Sequence, residues 1–345
     1  TGPGATLQDS GRFGFLRFGV TPAGPMDWAA FRLANRLAGN PDGAAAIELS
    51  IGGLEVEAEG PALTVAFAGA PYAVQRNGAA LPPAGRVVLR PGDRLSVRPG
   101  DTGMWLYLAV NGRIDVAPTM GSLSTHLRSG LGGLEGRQLA AGDRLAIEGA
   151  VALDDAAADA GWLAPTPEPL RVVLGPQDDY FTAGGLATFL GEAFTITTQM
   201  DRMAYRLDGP EVEHSKGFNI VSDGITLGAI QIPGEKRPFV LMADRQPTGG
   251  YPKIATIIRA DVRRFAQMRP GASVRFTQVT AAEGAAELRR VVDRIAETAR
   301  EACPLVRSEL SSEFLLALNL VGGVEDAIVM RMTENGTELG RFFFV

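Results

Sequence analysis

The sequence predicts a mainly β protein made of two related β-rich units, a few flanking helices and a C-terminal helical extension. Between Ile47 and Gly149 the chain runs in short β-branched and aromatic stretches broken by Gly and Pro, the even spacing of a barrel or sandwich. Three segments repeat one turn-plus-strand device: Pro91-Gly92-Asp93-Arg94-Leu95, Ala141-Gly142-Asp143-Arg144-Leu145 and Pro270-Gly271-Ala272-Ser273-Val274. The 345 residues also exceed what one hydrophobic core normally serves, so two compact units are expected.

In chain order, Gln8-Asp9-Ser10-Gly11-Arg12-Phe13-Gly14 reads as a loop that brings backbone close to something. Asp27 is placed to cap a helix with Trp28, Phe31, Leu33, Ala34 and Leu37 on its apolar stripe, stopped by Gly39-Asn40-Pro41 and laid on a sheet. Strands are expected over residues 63–67, 86–89, 95–97 and 104–110. Residues 150–169 turn to Ala, Asp and Pro, a linker composition that divides a first unit, 1–160, from a second, 161–280. The second unit opens with a strand over 170–174 and closes near Val274 to Phe276. Thr280 and Glu283 then form a capping box for a helix with Leu288, Val291, Val292, Ile295 and Ala299 on one face. This helix begins a C-terminal part, 281–345, with a further helix over 314–320 and an apolar end, Phe342-Phe343-Phe344-Val345, expected to dock on the body or on another polypeptide.

Charge and absent motifs narrow the function. With 33 basic and 39 acidic residues the net charge is −6, the wrong sign for a phosphate-backbone binder, so no nucleic acid is expected. No apolar run reaches the roughly 18–20 residues of a membrane span, and Thr1-Gly2-Pro3-Gly4 does not open a leader; a cytoplasmic protein is the expectation. The lone cysteine, Cys303, follows an alanine-rich helix and precedes Pro304 with no histidine near it, and is read as structural. Of the three lysines, Lys216, Lys236 and Lys253, none sits in a P-loop, which argues against a Walker-type ATP site. None has the Met-Lys-Met setting of a biotin attachment site either, so any biotin is expected on another chain or domain. His126 and His214 lie far apart and match no zinc spacing, so no metal is expected. Neither a G-x-S-x-G elbow nor a G-x-G-x-x-G after a strand is present.

Four stretches are dense in Gly, Arg, Asp, Ser and Thr where mere connections are expected, the composition of functional loops on a rigid scaffold. They are residues 8–12; residues 121–125 with 132–137; Gly175-Pro176-Gln177-Asp178-Asp179 with residues 201–207; and residues 228–233 leading into Gln246-Pro247-Thr248-Gly249-Gly250-Tyr251-Pro252-Lys253-Ile254-Ala255. With Pro25-Met26-Asp27, residues 34–40 and Ile47-Glu48, in order, they resemble the family called allophanate hydrolase subunit 2, also known as biotin-dependent carboxyltransferase or as the C component of 5-oxoprolinase. The resemblance runs to about Phe276. It departs at Ala204, where the family usually has glycine, and at Pro25, where it usually has alanine.

The resemblance implies two cyclophilin-like β-barrels per chain and a B-type partner similar to allophanate hydrolase subunit 1, with an A-type protein as a possible third component. Among relatives one chemistry is the ATP-dependent opening of 5-oxoproline to glutamate, with ATP used by the assembly. A second, that of urea amidolyase, moves a carboxyl group from carboxybiotin to urea nitrogen; a regulatory role against an inhibitor of a sensor kinase is also attached to the family. Both reactions need donors where charge develops on an oxygen and a group that manages an amide N–H. Arg12 and Arg202 fit as clamps for an oxyanion or carboxylate, and Gln231 fits an amide, so these three are the expected catalytic residues. Gln8, Asp9, Ser124, Thr125, Gln246, Thr248, Gly249, Gly250 and Lys253 are the expected substrate-binding residues, the glycines through their backbone N–H groups. Against this, each arginine has a plain structural alternative, pairing with Asp9 or Asp201 to pin its own loop. For Lys253 a solvated surface position is favoured, and for Tyr205, core packing.

Overall fold

In the computed structural model, which describes residues 4–305, the chain is mainly β. The first half contains β1 (Ala5–Gln8), α1 (Trp28–Leu37), β2 (Ala46–Leu49), β3 (Leu54–Glu57), β4 (Leu63–Gly69), β5 (Ala73–Arg76), β6 (Ala79–Ala80), β7 (Gly85–Leu89), β8 (Arg94–Arg98), β9 (Leu106–Val110), β10 (Arg113–Ile114), β11 (Ile147–Glu148) and β12 (Ala156–Ala157). The second contains β13 (Leu170–Leu174), α2 (Ala183–Gly191), β14 (Phe194–Met200), β15 (Ala204–Asp208), β16 (Asp223–Gly224), β17 (Ala229–Gln231), β18 (Phe239–Leu241), β19 (Thr248–Gly249), β20 (Lys253–Ile257), α3 (Arg259–Ala266), β21 (Ser273–Val274) and β22 (Phe276–Gln278). α4 (Ala281–Arg300) and β23 (Cys303–Pro304) follow, and the chain through Pro304 forms one compact unit.

The first half pairs its strands in the order β1-β2-β9-β4-β7-β12-β23, with a second sheet β3-β8-β5-β6 against it. Strand alternation gives the long sheet two faces. On β4, Val65 and Phe67 point to an interior shared with Leu7, Leu49, Val97 and Leu108, while Ala66 and Ala68 face α1. Alanines on the outer face let the helix lie close to the sheet. Asp27 caps α1 as expected, accepting from the Ala29 and Ala30 amides.

In the second half the order is β21-β14-β15-β18-β17-β20-β13-β22. The two outermost strands, β21 and β22, are separated in sequence by Arg275 alone, so this eight-stranded sheet curls round until its ends meet, as a barrel does. Phe276 stacks on Phe189 of α2 at 4.7 Å and sits beside Phe194 in the core under that seam.

Two expectations from the sequence change in detail. The Asp/Pro-rich stretch is tied down rather than free: β12 pairs with β7, Leu153 N–H donates to Thr64 Oγ1, and Asp155 accepts from Val88 N–H at 2.7 Å. The repeated turn is real in its first two copies, since Asp93 and Asp143 each accept from the amide three residues back at 2.7 Å after a glycine with φ +85° or +91°. Only the first and third copies run straight into a strand. The stretch after Asp143 enters no strand until Ile147.

The second copy also carries an ion pair. Arg137 Nη1 and Nη2 donate to Asp143 at 2.7 and 2.9 Å, and with the Ala140 amide they hold that carboxyl down to about 2. A carboxyl whose folded value lies below its unfolded one stabilises above the unfolded value and loses that contribution as pH falls through the folded one. Asp143→Asn is therefore expected to lower stability by about 1 kcal/mol at pH 7 and by almost nothing near pH 2, read from urea midpoints.

α4 packs against α1, α3 and β13, and β23 returns to the first half to pair with β12. Its capping box is formed: Thr280 Oγ1 accepts from Glu283 N–H, and Glu283 accepts from Thr280 N–H. Thr280→Ala should cost about 1 kcal/mol in denaturant titration. Cys303 is exposed, with its backbone in β23. The helix expected over 314–320 and the apolar end 342–345 lie outside the described residues. So does the remainder of the C-terminal part beyond residue 305.

Candidate functional site

The expected site residues fall into three groups. The first surrounds Asp9, just past β1. Its carboxylate accepts from Gly11 N–H, Ser122 Oγ, Leu123 N–H and Ser124 Oγ at 2.6–2.9 Å, so it binds the 8–12 loop to the 119–125 loop. Gln8 Nε2 donates to Thr6 Oγ1 and to Thr125 O, and Thr125 Oγ1 donates to Leu7 O. Arg12 is 1% exposed; its Nε donates to Thr119 O at 3.0 Å and its Nη2 to Ser124 O at 2.9 Å. It does not pair with Asp9, because that carboxylate is already filled by serine hydroxyls and amides.

Arg12 Nη1 is buried with no hydrogen-bond partner among the described residues. A cationic donor left unmatched in this way is costly and calls for an acceptor. Beside it, Gly132 has φ +67°, and a Cβ there would overlap Ser124 O and stand 2.6 Å from Arg12 Nη2. Only glycine lets this loop lie against the guanidinium. Gly132, Thr119 and residues 130–136 border a hollow of about 500 Å³.

The second group lies between the halves. The turn joining β14 to β15 is held by Asp201 Oδ1, which accepts from Met203 N–H and Ala204 N–H, so Asp201 is not the partner of Arg202. Instead Arg202 reaches the first half, pairs with Glu48 of β2, donates to Gly24 O at 2.7 Å, and grips Asp244 through Nε and Nη2 at 2.9 Å. Four of its five N–H bonds are thereby committed. Nothing remains for a two-point grip on a substrate carboxylate.

Glu48 Oε2 accepts from Met26 N–H and Tyr107 Oη, and Tyr107 Oη accepts from Asp27 N–H. Asp27 Oδ2 accepts from Gln267 Nε2, whose side-chain oxygen takes the Met104 and Trp105 amides. Burial pushes the carboxyls of Glu48 and Asp27 up, against the pull of Arg202 on the first and Arg263 on the second. Burial alone would lower Arg202, but Asp244 and Glu48 outweigh it and hold the guanidinium charged. Above this network opens a cleft of about 480 Å³ lined by Thr6, Glu48, Trp105, Arg202, Tyr205 and Asp244. Tyr205 is fully buried, with its hydroxyl donating to Ala266 O, in keeping with core packing.

The third group belongs to the second barrel. Gln231 Nε2 donates to Tyr251 O, and a Cβ on Gly249 would stand 2.6 Å from that same nitrogen. Thr248 and Gly249 form β19, paired with Asp223 and Gly224, and Gly250 O accepts from Ile220 N–H. Lys253 is buried rather than solvated: its Nζ donates to Asp223 Oδ2 at 2.6 Å and to Gly224 O, and its side chain is 3% exposed. Its position in β20 points the ammonium inward, and the Asp223 carboxylate compensates the charge. Gln246 Oε1 is buried without a partner among the described residues.

Arg12 and Arg202 are neighbours through one segment, since Arg12 N–H donates to Pro22 O and Arg202 to Gly24 O. No hydrogen bond among the described residues joins either arginine to Gln231, Thr248 or Lys253. Sequence reasoning assigned no role to Glu48, Asp244 or Gln267. A carboxylate inside an otherwise apolar strand, Ala46-Ile47-Glu48-Leu49, is a readable signal for the first; Gln267 has none.

Fold and sites together define a mainly β protein whose second half closes into a barrel-like sheet, with a cleft bounded by residues of both halves and two further polar clusters outside it. Residues 18–278 match the family model described as "Carboxyltransferase domain, subdomain A and B", and the chain belongs to that family. It is 38% identical to the C component of 5-oxoprolinase from Escherichia coli K12 over 278 residues, covering 81% of this chain and 89% of that protein. It is 36% identical to the C component of 5-oxoprolinase from Haemophilus influenzae over 290 residues, 83% of this chain and 91% of that one. Among solved structures, urea amidolyase of K. lactis superposes with a TM-score of 0.78 at 27% identity over 86% of this chain, which spans 19% of that longer chain. No helix among the described residues is long and apolar enough to cross a membrane.

Proposed function

We propose that this chain is the C-type component of a cytoplasmic 5-oxoprolinase and acts with a B-type partner, and with an A-type partner where one is present, to open 5-oxoproline to glutamate. In the net reaction the lactam C–N bond breaks and water supplies the new carboxylate oxygen and the amine proton. The observation that carries this reading is Arg12 Nη1, a buried cationic donor without an acceptor among the described residues, in a chain 38% identical to the C component of a 5-oxoprolinase. Arg12 holds the substrate's carboxylate or carbonyl oxygen, and the 130–136 loop shields it from water. Asp9, Gln8, Ser124 and Thr125 position Arg12 and that loop. Gln231, Gln246, Thr248, Gly249, Gly250 and Lys253 build a second polar surface, with Gln246 Oε1 available to an amide N–H. Arg202 is a positioning residue that fixes the cleft between a first domain, 1–160, and a second, 161–280.

ATP enters through the assembly. No lysine of this chain offers a Walker arrangement, and buried Lys253, held by Asp223, fits neither a phosphate loop nor biotin attachment. The test is reconstitution: purified chain, its B- and A-type partners, ATP and 5-oxoproline should release glutamate, and leaving this chain out should abolish release. A complete mixture that yields no glutamate rejects the reading.

A second reading is favoured by the TM-score of 0.78 to urea amidolyase: carboxyl transfer from carboxybiotin on another chain to a urea-like amide. It expects the chain to consume free carboxybiotin when urea is added.

A further inference from the structure

Arg32 and Arg259 both lie beside the Trp28 ring, Arg245 feels the like charge of Arg259, and none of the three forms an ion pair among the described residues. Arg32 lies one turn along α1 from Trp28, its guanidinium carbon 5.3 Å from the centre of the indole ring. The guanidinium of Arg259, the first residue of α3, lies 5.7 Å from the same ring, and the Arg259 carbonyl accepts the indole N–H at 3.0 Å. Arg245 follows Asp244 in the turn after β18; its Nε donates to Ile225 O at 3.1 Å and its Nη1 to Met242 O at 3.3 Å, leaving Nη2 free of protein partners among the described residues.

The local acids are engaged elsewhere. Asp42, the acid that senses Arg32, is gripped by Arg36 at 2.6 Å, and Asp244 is held by Arg202. Burial, and then the like charge of Arg259, pushes the Arg245 guanidinium down to about 10. A protein of net charge −6 has carboxylates to spare, yet none forms an ion pair with these three cations among the described residues. The first turn of α3 adds to the field, because its N-cap, Ile258, supplies no side-chain acceptor and Asp261 is turned to Arg171 and Arg264. Arg245 is buried, Arg32 half-buried and Arg259 exposed, so the cluster opens to solvent on one side.

We propose that Arg32, Arg245 and Arg259, at the start of α3, form a binding site for a phosphate group. None of the three lines the cleft above Arg202 or the hollow beside Arg12, so the site is separate from the one assigned to the amide substrate. Phosphate is favoured over carboxylate because a carboxylate is satisfied by one guanidinium fork, whereas three cations and a helix start match a dianion with three acceptor oxygens. The inference does not depend on the 5-oxoprolinase reading.

The test is titration of the full chain with inorganic phosphate at constant ionic strength, followed by calorimetry and by tryptophan fluorescence, since Trp28 is part of the cluster. Saturable binding is expected, with a melting temperature that climbs with phosphate. Arg32→Gln and Arg259→Gln should each weaken it about tenfold or more, the size of one lost charge-assisted hydrogen bond. Arg98→Gln, at the exposed end of β8, should leave it unchanged. A parallel titration with ADP separates the sources: displacement of phosphate by ADP, lost in the same variants, assigns the site to a nucleotide's phosphoryl group, and binding of inorganic phosphate alone assigns it to the free ion. No saturation with either probe overturns the proposal. So does unaltered affinity in both variants, including the case where Arg259→Gln merely raises the melting temperature by relieving repulsion.

Discussion

Arg202→Met is expected to lower unfolding stability by about 3–5 kcal/mol, because it strands Glu48 and Asp244, two carboxylates at 0% and 10% side-chain exposure, without their cation. The loss should depend on pH in a defined direction. Burial already lifts the folded-state value of Glu48, and removing Arg202, which pulls it down, lifts it further. A carboxyl raised above its unfolded value contributes stability below that unfolded value and loses it as pH climbs through the folded one. The variant should therefore be hurt most at pH 8 and least near pH 5, where Glu48 takes up a proton. Urea midpoints at the two pH values measure this; a pH-independent loss under 1 kcal/mol would show that the triad does not hold the halves together.

Arg12→Met is expected to reduce kcat/KM of the assembled enzyme by about 100- to 1,000-fold, the scale for losing one preorganised donor to a developing oxyanion. Stability should drop by only about 2 kcal/mol, since two carbonyls lose a donor but both loops remain tied through Asp9. Gly132→Ala attacks the same geometry from the other side and should lower turnover by pushing the loop and the Arg12 guanidinium apart, with Arg12 itself unsubstituted. Gly142→Ala serves as the comparison: its φ of +91° is equally strained for alanine, but nothing lies within 4 Å of the added methyl. An Arg12→Met enzyme that turns over at the normal rate would reduce Arg12 to a loop pin.

Much of the fold was legible because local chemistry and burial agree. Asp27 and Thr280 announce helix starts, and β4, β7, β8, β9 and β13 coincide with β-branched runs. The Ala/Asp/Pro stretch gave no sign of a strand because Ala156 and Ala157 have no strand character of their own; their pairing is imposed by β7. The loops of the candidate site were legible as glycine- and hydroxyl-rich punctuation, and Gln8, Asp9, Arg12, Ser124 and Thr125 do meet. What sequence spacing could not reach is the partner of each ion. Arg202 stands one residue from Asp201 but pairs with Glu48, 154 positions away, and with Asp244. The same holds for Lys253, whose burial depends on Asp223 arriving from another strand.

The path of the chain constrains how the cleft can work. After completing the second barrel, α4 runs back across α1 and β23 is stitched to β12, so the polypeptide leaves the first half, builds the second and is sewn to the first again. Two lobes joined twice cannot swing apart like a bivalve shell. Selectivity must then come from rigid walls and small loop adjustments, so ligand uptake should leave the hydrodynamic radius unchanged.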